Sequence, residues 1–184
     1  MKRLLDIVIA VVALLVLAPV WLLAALAIAF EGGGPVLFQQ TRLGLNGREF
    51  NMLKFRSMRR NVAATGSFFT VANDTRITRV GRFIRRTSID ELPQLINVLC
   101  GDMSLVGPRP DVPAQRPLYS DADWAQRCSV RPGITGLAQA LLRSEATEAQ
   151  RLALDLRYTH EASVWLDLKI LGLTVARLSG KASN

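Results

Sequence analysis

The stretch KRLLDIVIAVVALLVLAPVWLLAALAIAF, residues 2–30, opens on two cations and then runs apolar, apart from Asp6. It is too long for a cleaved signal peptide and carries no convincing small-residue cleavage site. Twenty-odd apolar residues would ordinarily span a bilayer core of about 30 Å. Two features argue otherwise. Pro19 lies inside the run, where it removes the hydrogen bond to the Leu15 carbonyl and kinks a helix. Both flanks are also positive, with Lys2 and Arg3 before and Arg42, Arg48, Lys54 and Arg56 after, against Asp6, Glu31 and Glu49. Positive flanks favour the cytoplasmic side, so both ends are drawn to one face. A helix broken at Pro19 that dips in and returns meets both conditions. Each arm of about 12 residues would reach about 18 Å, one leaflet deep. An ordinary kinked transmembrane helix stays open on these grounds. Asp6 is costly in lipid and calls for a cation such as Arg3, or for depth near the head groups.

After the break at Gly32–Pro35, Val36–Thr41 and Arg48–Phe55 read as short strands. Asn46-Gly47 between them is a type I′ hairpin signal, because both positions tolerate positive φ. Alternation puts Lys54 and Arg56 on one face and Phe55 on the other. Asn61–Asn73 reads as a loop. Arg76, Arg79, Arg82, Arg85 and Arg86, with Ile77, Val80, Phe83 and Ile84 interleaved, form an amphipathic basic helix, solvated or facing anionic lipid. The same stripe could track a nucleic-acid backbone, but no recognised reading module accompanies it.

Ser88–Cys100 has helical spacing, with Leu92, Leu95, Ile96 and Leu99 on one side, and Ser88-x-x-Glu91 fits a capping box. A cap would explain Glu91, and a positive helix end would explain Asp90, without any catalytic duty. Gly101–Asp111 reads as a rigid loop carrying Asp102 and Arg109. Val112–Cys128 looks irregular, with a short helix around Tyr119–Arg127. VRPGITGLAQ, residues 130–139, reads as another loop, with one cation, Arg131. Thr147 with Gln150 opens a helix through about Glu161. Val164–Leu178 is too short and too charged to span, and reads as interfacial or packed on the core.

The chain of 184 residues has room for one domain and a membrane appendage, and its formal charge of +8 favours anionic partners. Cys100 and Cys128 match no metal spacing and read as free thiols of a reducing compartment. His160 is the single histidine and builds no metal site alone. No GxxxxGK[ST] loop, no GxGxxG after a strand and no serine–histidine–acid arrangement occurs, so kinase, dehydrogenase and hydrolase readings are poor. Adjacent carboxylates could supply an aspartyl nucleophile and one or two ligands for magnesium. Arg109 and Arg131, on stiff loops, could grip phosphates bidentately. The residues by themselves imply a membrane-surface protein handling phosphorylated anions, with catalysis left open.

Several segments together are more specific. KRLLDIVIA, PVLFQQTRLGLNGREFNMLKFRSM, NDTRITRVGRFIRRTSIDELPQLINVLCGDMSLVGPRP, VRPGITGLAQ and WLDLKIL cover nearly the whole chain. It resembles the bacterial sugar transferase family, monotopic phosphoglycosyl transferases that move a phosphosugar from a UDP-sugar to polyprenyl phosphate. The resemblance implies that Asp90 is the nucleophile, attacking the β-phosphate, releasing UMP and holding the phosphosugar covalently. Glu91 matches the second acid of the dyad, a partner in Mg2+ binding or in activating the acceptor. Arg109 of the PRP motif matches a phosphate-binding arginine, and Lys54, Arg56, Arg85 and Arg131 lie in family motifs as phosphate or nucleotide contacts. The N-terminal run matches a re-entrant helix, although Ala18-Pro19 stands where many members have Ser-Pro, which puts the sharpness of the bend in question.

The expectation is an α+β, mostly helical monotopic membrane enzyme: residues 1–31 a re-entrant membrane helix, residues 32–184 a cytoplasmic catalytic domain with a small β-hairpin and interfacial amphipathic helices. It resembles a minimal catalytic version, placed at the cytoplasmic face of a bacterial inner membrane and starting a glycoconjugate there. The rival is a non-catalytic membrane-anchored protein that binds anionic lipid or nucleic acid. Asn61–Asn73 and Val112–Arg127 are candidate sugar-selecting loops, and no residue in them names a sugar.

Overall fold

The computed structural model describes residues 1–32, 34–59, 74–142 and 147–178. The apolar run forms two helices, α1 (Lys2–Val16) and α2 (Ala18–Gly32), inclined to each other by 62°. Pro19 explains the break: it can neither donate to Leu15 nor let that carbonyl approach, yet it is tolerated in the first turn of a new helix. Each arm has 15 residues, about 22 Å at ~1.5 Å per residue. Among the described residues no single helix is long and apolar enough to cross a membrane, and only this bent pair meets the requirement together. One stripe of α1, around Ala10, is buried, while Leu4, Val8, Val11, Val12, Leu15 and Val16 are exposed. On α2, Ala24 and Ile28 are buried and Leu22, Leu23, Leu26 and Phe30 are exposed.

Asp6 is resolved differently from the sequence expectation. It is buried in protein and accepts hydrogen bonds from Ser104 Oγ at 2.8 Å and the Leu105 N–H at 3.2 Å. Arg3 instead donates to the carbonyls of Val98 and Leu99, at 2.6 and 3.1 Å. Neutral donors therefore satisfy the carboxylate, and the arginine is spent on another helix's open carbonyls.

β1 (Leu37–Leu43) and β2 (Glu49–Phe55) pair antiparallel, from Leu37 opposite Phe55 to Leu43 opposite Glu49. Their connection holds Asn46 and Gly47 at φ of 54° and 71°, and Arg48 N–H bonds to the Leu45 carbonyl at 3.2 Å, as an Asn-Gly turn requires. The basic helix α3 (Arg79–Arg86) starts later than the arginine spacing suggests, because Arg76 pairs with Asp74 at 2.6 Å before it. Its first N–H groups are capped by Thr78 Oγ1, and by Glu31 of α2 at 2.7 Å (Arg79 N–H) and 3.0 Å (Val80 N–H).

The expected continuous helix from Ser88 is not formed. Ser88 sits in the left-handed region with φ 57°, a 3-10 turn covers Ile89–Glu91, and α4 (Gln94–Cys100) begins only after Pro93. A left-handed residue cannot act as an N-cap, which needs an extended backbone, and its hydroxyl makes no capping bond. Two stretches that read as loops pair as β3 (Ser104–Val106) and β4 (Gly133–Thr135), in parallel. Gly107 and Gly133 lie so close to each other's backbone that a Cβ on either would collide, so glycines that suggested a loop serve close strand approach. A 3-10 run, Pro113–Leu118, leads to α5 (Asp121–Arg127), followed after β4 by α6 (Leu137–Leu141).

α7 (Glu148–Glu161) opens with the expected Thr147–Gln150 capping box. α8 (Val164–Leu178) buries Asp167 and Ile170 and exposes Trp165, Leu168 and Val175. Tyr158 hydroxyl donates to Asp167 at 2.7 Å and lies 3.0 Å from the Val106 carbonyl, while Lys2 Nζ reaches Asp167 at 2.5 Å. That knot ties α1, β3, α7 and α8. Apolar contacts make two cores, one around Val98, Met103, Tyr158 and Ile170, the other joining α2 to Phe55 and Ile84. The fold is mostly helical α+β with a small antiparallel hairpin. Cys128 is buried, Cys100 and His160 are exposed, and both cysteines are free. The loop expected over Asn61–Asn73 lies outside the described residues.

Candidate active site

The 3-10 turn places Asp90 and Glu91 between the end of β2 and the loop after β3. Lys54, next to last in β2, puts Nζ 2.9 Å from Glu91 Oε1, and Arg109 Nη2 lies 3.1 Å from the same oxygen. Burial acts to raise the Glu91 carboxyl, but Arg109 and Lys54 outweigh it and hold it down at about 2. Asp90 behaves oppositely. Burial raises it above its ordinary 3.8 and the Glu91 charge adds to this, against attraction from Lys54, Arg85 and Arg109. Lys54 is itself lowered by burial, with Glu91 working the other way. The pair is thus differentiated: one carboxylate neutralised by two cations, the other made more basic.

Asn97 of α4 sets the strand against this turn. Its Oδ1 accepts from the Leu53 N–H at 2.9 Å and its Nδ2 donates to the Asn51 carbonyl at 2.9 Å, as a neighbouring strand would. Lys54 is the next residue along. Phe55 points away from the cations into an edge-on contact with Trp21, ring centroids 4.7 Å apart. Arg42 of β1 donates to the Pro110 carbonyl at 2.9 Å, and burial together with the nearby Arg109 charge lowers it to about 10.

Of the residues singled out from sequence, Asp90, Glu91, Lys54 and Arg109 come together, and Arg85, in the last turn of α3, exerts its charge on Asp90. Arg56 donates to the Ile28 carbonyl of α2 at 3.2 Å. Arg131 donates to the Gly101 carbonyl at 2.9 Å and lines a separate cavity of about 350 Å3 with Asn46, Arg48, Phe50 and Asp102. Arg42, Asn97 and Arg127 were not picked out as site residues. Arg42 is one more cation in a strand, and no local spacing relates Asn97 or Arg127 to residues far along the chain.

Among the described residues no three histidine, cysteine, aspartate or glutamate groups cluster as a metal cage. Two adjacent carboxylates suit instead a hard cation that keeps water and substrate oxygens in its shell.

The family profile described as bacterial sugar transferase matches residues 1–181. The chain belongs to the bacterial sugar transferase family. It is 48% identical over 184 residues to the UDP-glucose:undecaprenyl-phosphate glucose-1-phosphate transferase of Caulobacter vibrioides, covering 96% of this chain and 69% of that one. The Escherichia coli K12 protein of the same description is 46% identical over 184 residues, covering 95% of this sugar transferase but 39% of the relative. Exopolysaccharide production protein PSS of Rhizobium leguminosarum is 46% identical over 191 residues, covering 97% of this chain and 96% of its own.

Proposed function

We propose that this sugar transferase moves a sugar 1-phosphate from a UDP-sugar to polyprenyl phosphate, releasing UMP, through a covalent intermediate on Asp90. The observation that carries the proposal is the split carboxylate pair, in a chain similar along nearly its whole length to transferases named for that reaction. In the first step an Asp90 oxygen attacks the β-phosphorus, the bond from that phosphorus to the bridging oxygen breaks, and UMP leaves with the electron pair. In the second, a phosphate oxygen of the acceptor attacks the same phosphorus and the bond to Asp90 breaks, restoring the carboxylate. Burial makes Asp90 the more basic of the two acids and so the stronger nucleophile. Glu91 holds Lys54 and Arg109 beside it, and both cations can turn to phosphate oxygens as charge develops. Magnesium suits the same place: Asp90 and Glu91 would hold it, and when bound it would neutralise diphosphate charge.

The bent pair α1–α2 suits a re-entrant anchor. Leu15, Val16, Leu22 and Leu23 are exposed around the bend and would enter the hydrocarbon, while the cations at both ends stay on the cytoplasmic face. UDP-glucose and undecaprenyl phosphate, named for two relatives, are the first substrates to assay, and exopolysaccharide assembly is the first process to examine. The test is UMP release by the full chain in nanodiscs, with both substrates and magnesium. Release that follows ping-pong kinetics and is abolished by Asp90→Asn is expected. A ternary-complex pattern, or an undiminished Asp90→Asn enzyme, overturns the mechanism.

A further inference from the structure

We propose that Arg127, a residue that does not face the reacting groups, is the positioning residue for Arg109. Arg127 ends α5 and is 6% exposed. Its guanidinium spends its donors in three directions. Nη2 donates to the Arg109 carbonyl at 2.6 Å, Nη1 to Asp111 Oδ2 at 2.5 Å, and Nε to Asp155 Oδ2 at 3.0 Å. The Tyr119 ring lies over its outer face, 5.4 Å from the guanidinium carbon. One planar group thus ties the backbone of residue 109 and the side chain of Asp111 to α7, which a lysine could not do in three fixed directions.

The arrangement has a specific consequence for Arg109. That side chain is half-exposed and reaches Glu91 at 3.1 Å. A long exposed side chain loses rotamer entropy when it binds, and a rigid backbone beneath it reduces the number of geometries it samples. Pro108 and Pro110 stiffen the loop, Arg42 holds the Pro110 carbonyl at 2.9 Å, and Arg127 holds the carbonyl of Arg109 itself. Stability alone is a weak reason for such a group. A buried ion network is often no better for folding than apolar residues of the same volume, and here one cation meets two carboxylates. Burial accordingly outweighs Arg127 at both acids, raising Asp111 and lifting Asp155 to about 6. What the network gives is a fixed origin for Arg109.

The inference rests on the proposed role of Arg109 in phosphate binding, so the test combines a kinetic and a structural reading. Arg127→Lys, Arg109→Ala and the double variant, as full chains in nanodiscs, are assayed for UMP release from UDP-glucose, with deuterium uptake followed across residues 107–112. Arg127→Lys is expected to lower kcat/KM roughly tenfold or more, to speed uptake at 107–112 and to leave the β1–β2 hairpin unchanged. In the Arg109→Ala background it should cost little further, because the two act as one unit. Losses that multiply overturn the inference, and so does unchanged uptake, whatever the activity. Full activity in Arg109→Ala defeats instead the phosphate-binding role of Arg109, and uptake then still decides whether Arg127 holds the loop. If Arg127→Lys does not fold, Arg127→Gln, which keeps a donor toward the carbonyl, is read by the same two criteria.

Discussion

Lys54 Nζ lies 2.9 Å from Glu91 Oε1, and the bond closes a hairpin onto a turn 37 positions further along the chain. Through it the positive charge of β2 is spent on Glu91, and Asp90 is left as the more basic acid. The acid limb of kcat/KM should therefore follow Asp90, at a pH above its ordinary 3.8, while Glu91, held at about 2, stays ionised throughout. Lys54→Met removes the largest attraction that opposes burial at Asp90, so the limb should move to higher pH as well as the rate falling. A pH–rate profile of both proteins checks this. A limb that stays in place would remove Asp90 from the titration.

Asn97 makes a second prediction, on stability. Asn97→Leu keeps the volume but leaves the Leu53 N–H and the Asn51 carbonyl without its amide. An unsatisfied backbone group costs about 1–3 kcal/mol when buried; Leu53 is partly buried and Asn51 exposed, so a loss of about 1–3 kcal/mol in all is expected in denaturant unfolding. Activity should fall further than stability explains, because Lys54 follows Leu53 directly and loses its approach to Glu91. Wild-type activity in the folded variant would show that the strand needs no such peg.

These two cases mark how far sequence goes. The hairpin, the Thr147 cap and the break before Pro19 were legible because each follows from chemistry within a few residues. The Ser88 cap failed because Pro93 starts its own helix and Ser88 takes a left-handed backbone, so a correct four-residue pattern was overruled by its neighbours. β3 and β4 were unreadable for a different reason: three-residue strands have too little alternation, and their glycines serve approach between segments about 30 positions apart. The meeting of Lys54, Glu91 and Arg109 was implied by family likeness, whereas Asn97 and Arg127 act only through long-range contacts that no local pattern encodes.

Asp155 should leave a signature in the pH dependence of stability. Its folded-state pKa is raised by burial from 3.8 to about 6, so its stabilising contribution is complete below about 3.8 and is lost as pH rises through about 6. Unfolding midpoints measured from pH 4 to pH 8 should contain a component that declines with rising pH. Asp155→Asn cannot titrate and should lack that component, while keeping an acceptor for Arg127 Nε. A profile identical in both proteins would mean that Arg127 keeps Asp155 ionised in the fold.

The bend between α1 and α2 makes a topological prediction. A re-entrant pair puts both ends on one side, and an ordinary span puts them on opposite sides. Cys100 is exposed and would react, so the test starts from Cys100→Ser with Cys128→Ala, and adds a single cysteine at Lys2 or at Gly34. In sealed right-side-out and inverted vesicles, a membrane-impermeant maleimide should label both positions in the inverted set alone. Pro19→Leu restores a donor to the Leu15 carbonyl and a continuous apolar helix of spanning length. If Pro19 is what turns the chain back, part of that variant should expose Lys2→Cys on the opposite side and lose activity in proportion. Opposite-side labelling in the parent protein would restore the simple span, and same-side labelling unaffected by Pro19→Leu would assign the turn to packing of α1 on α4 and β3 rather than to the proline.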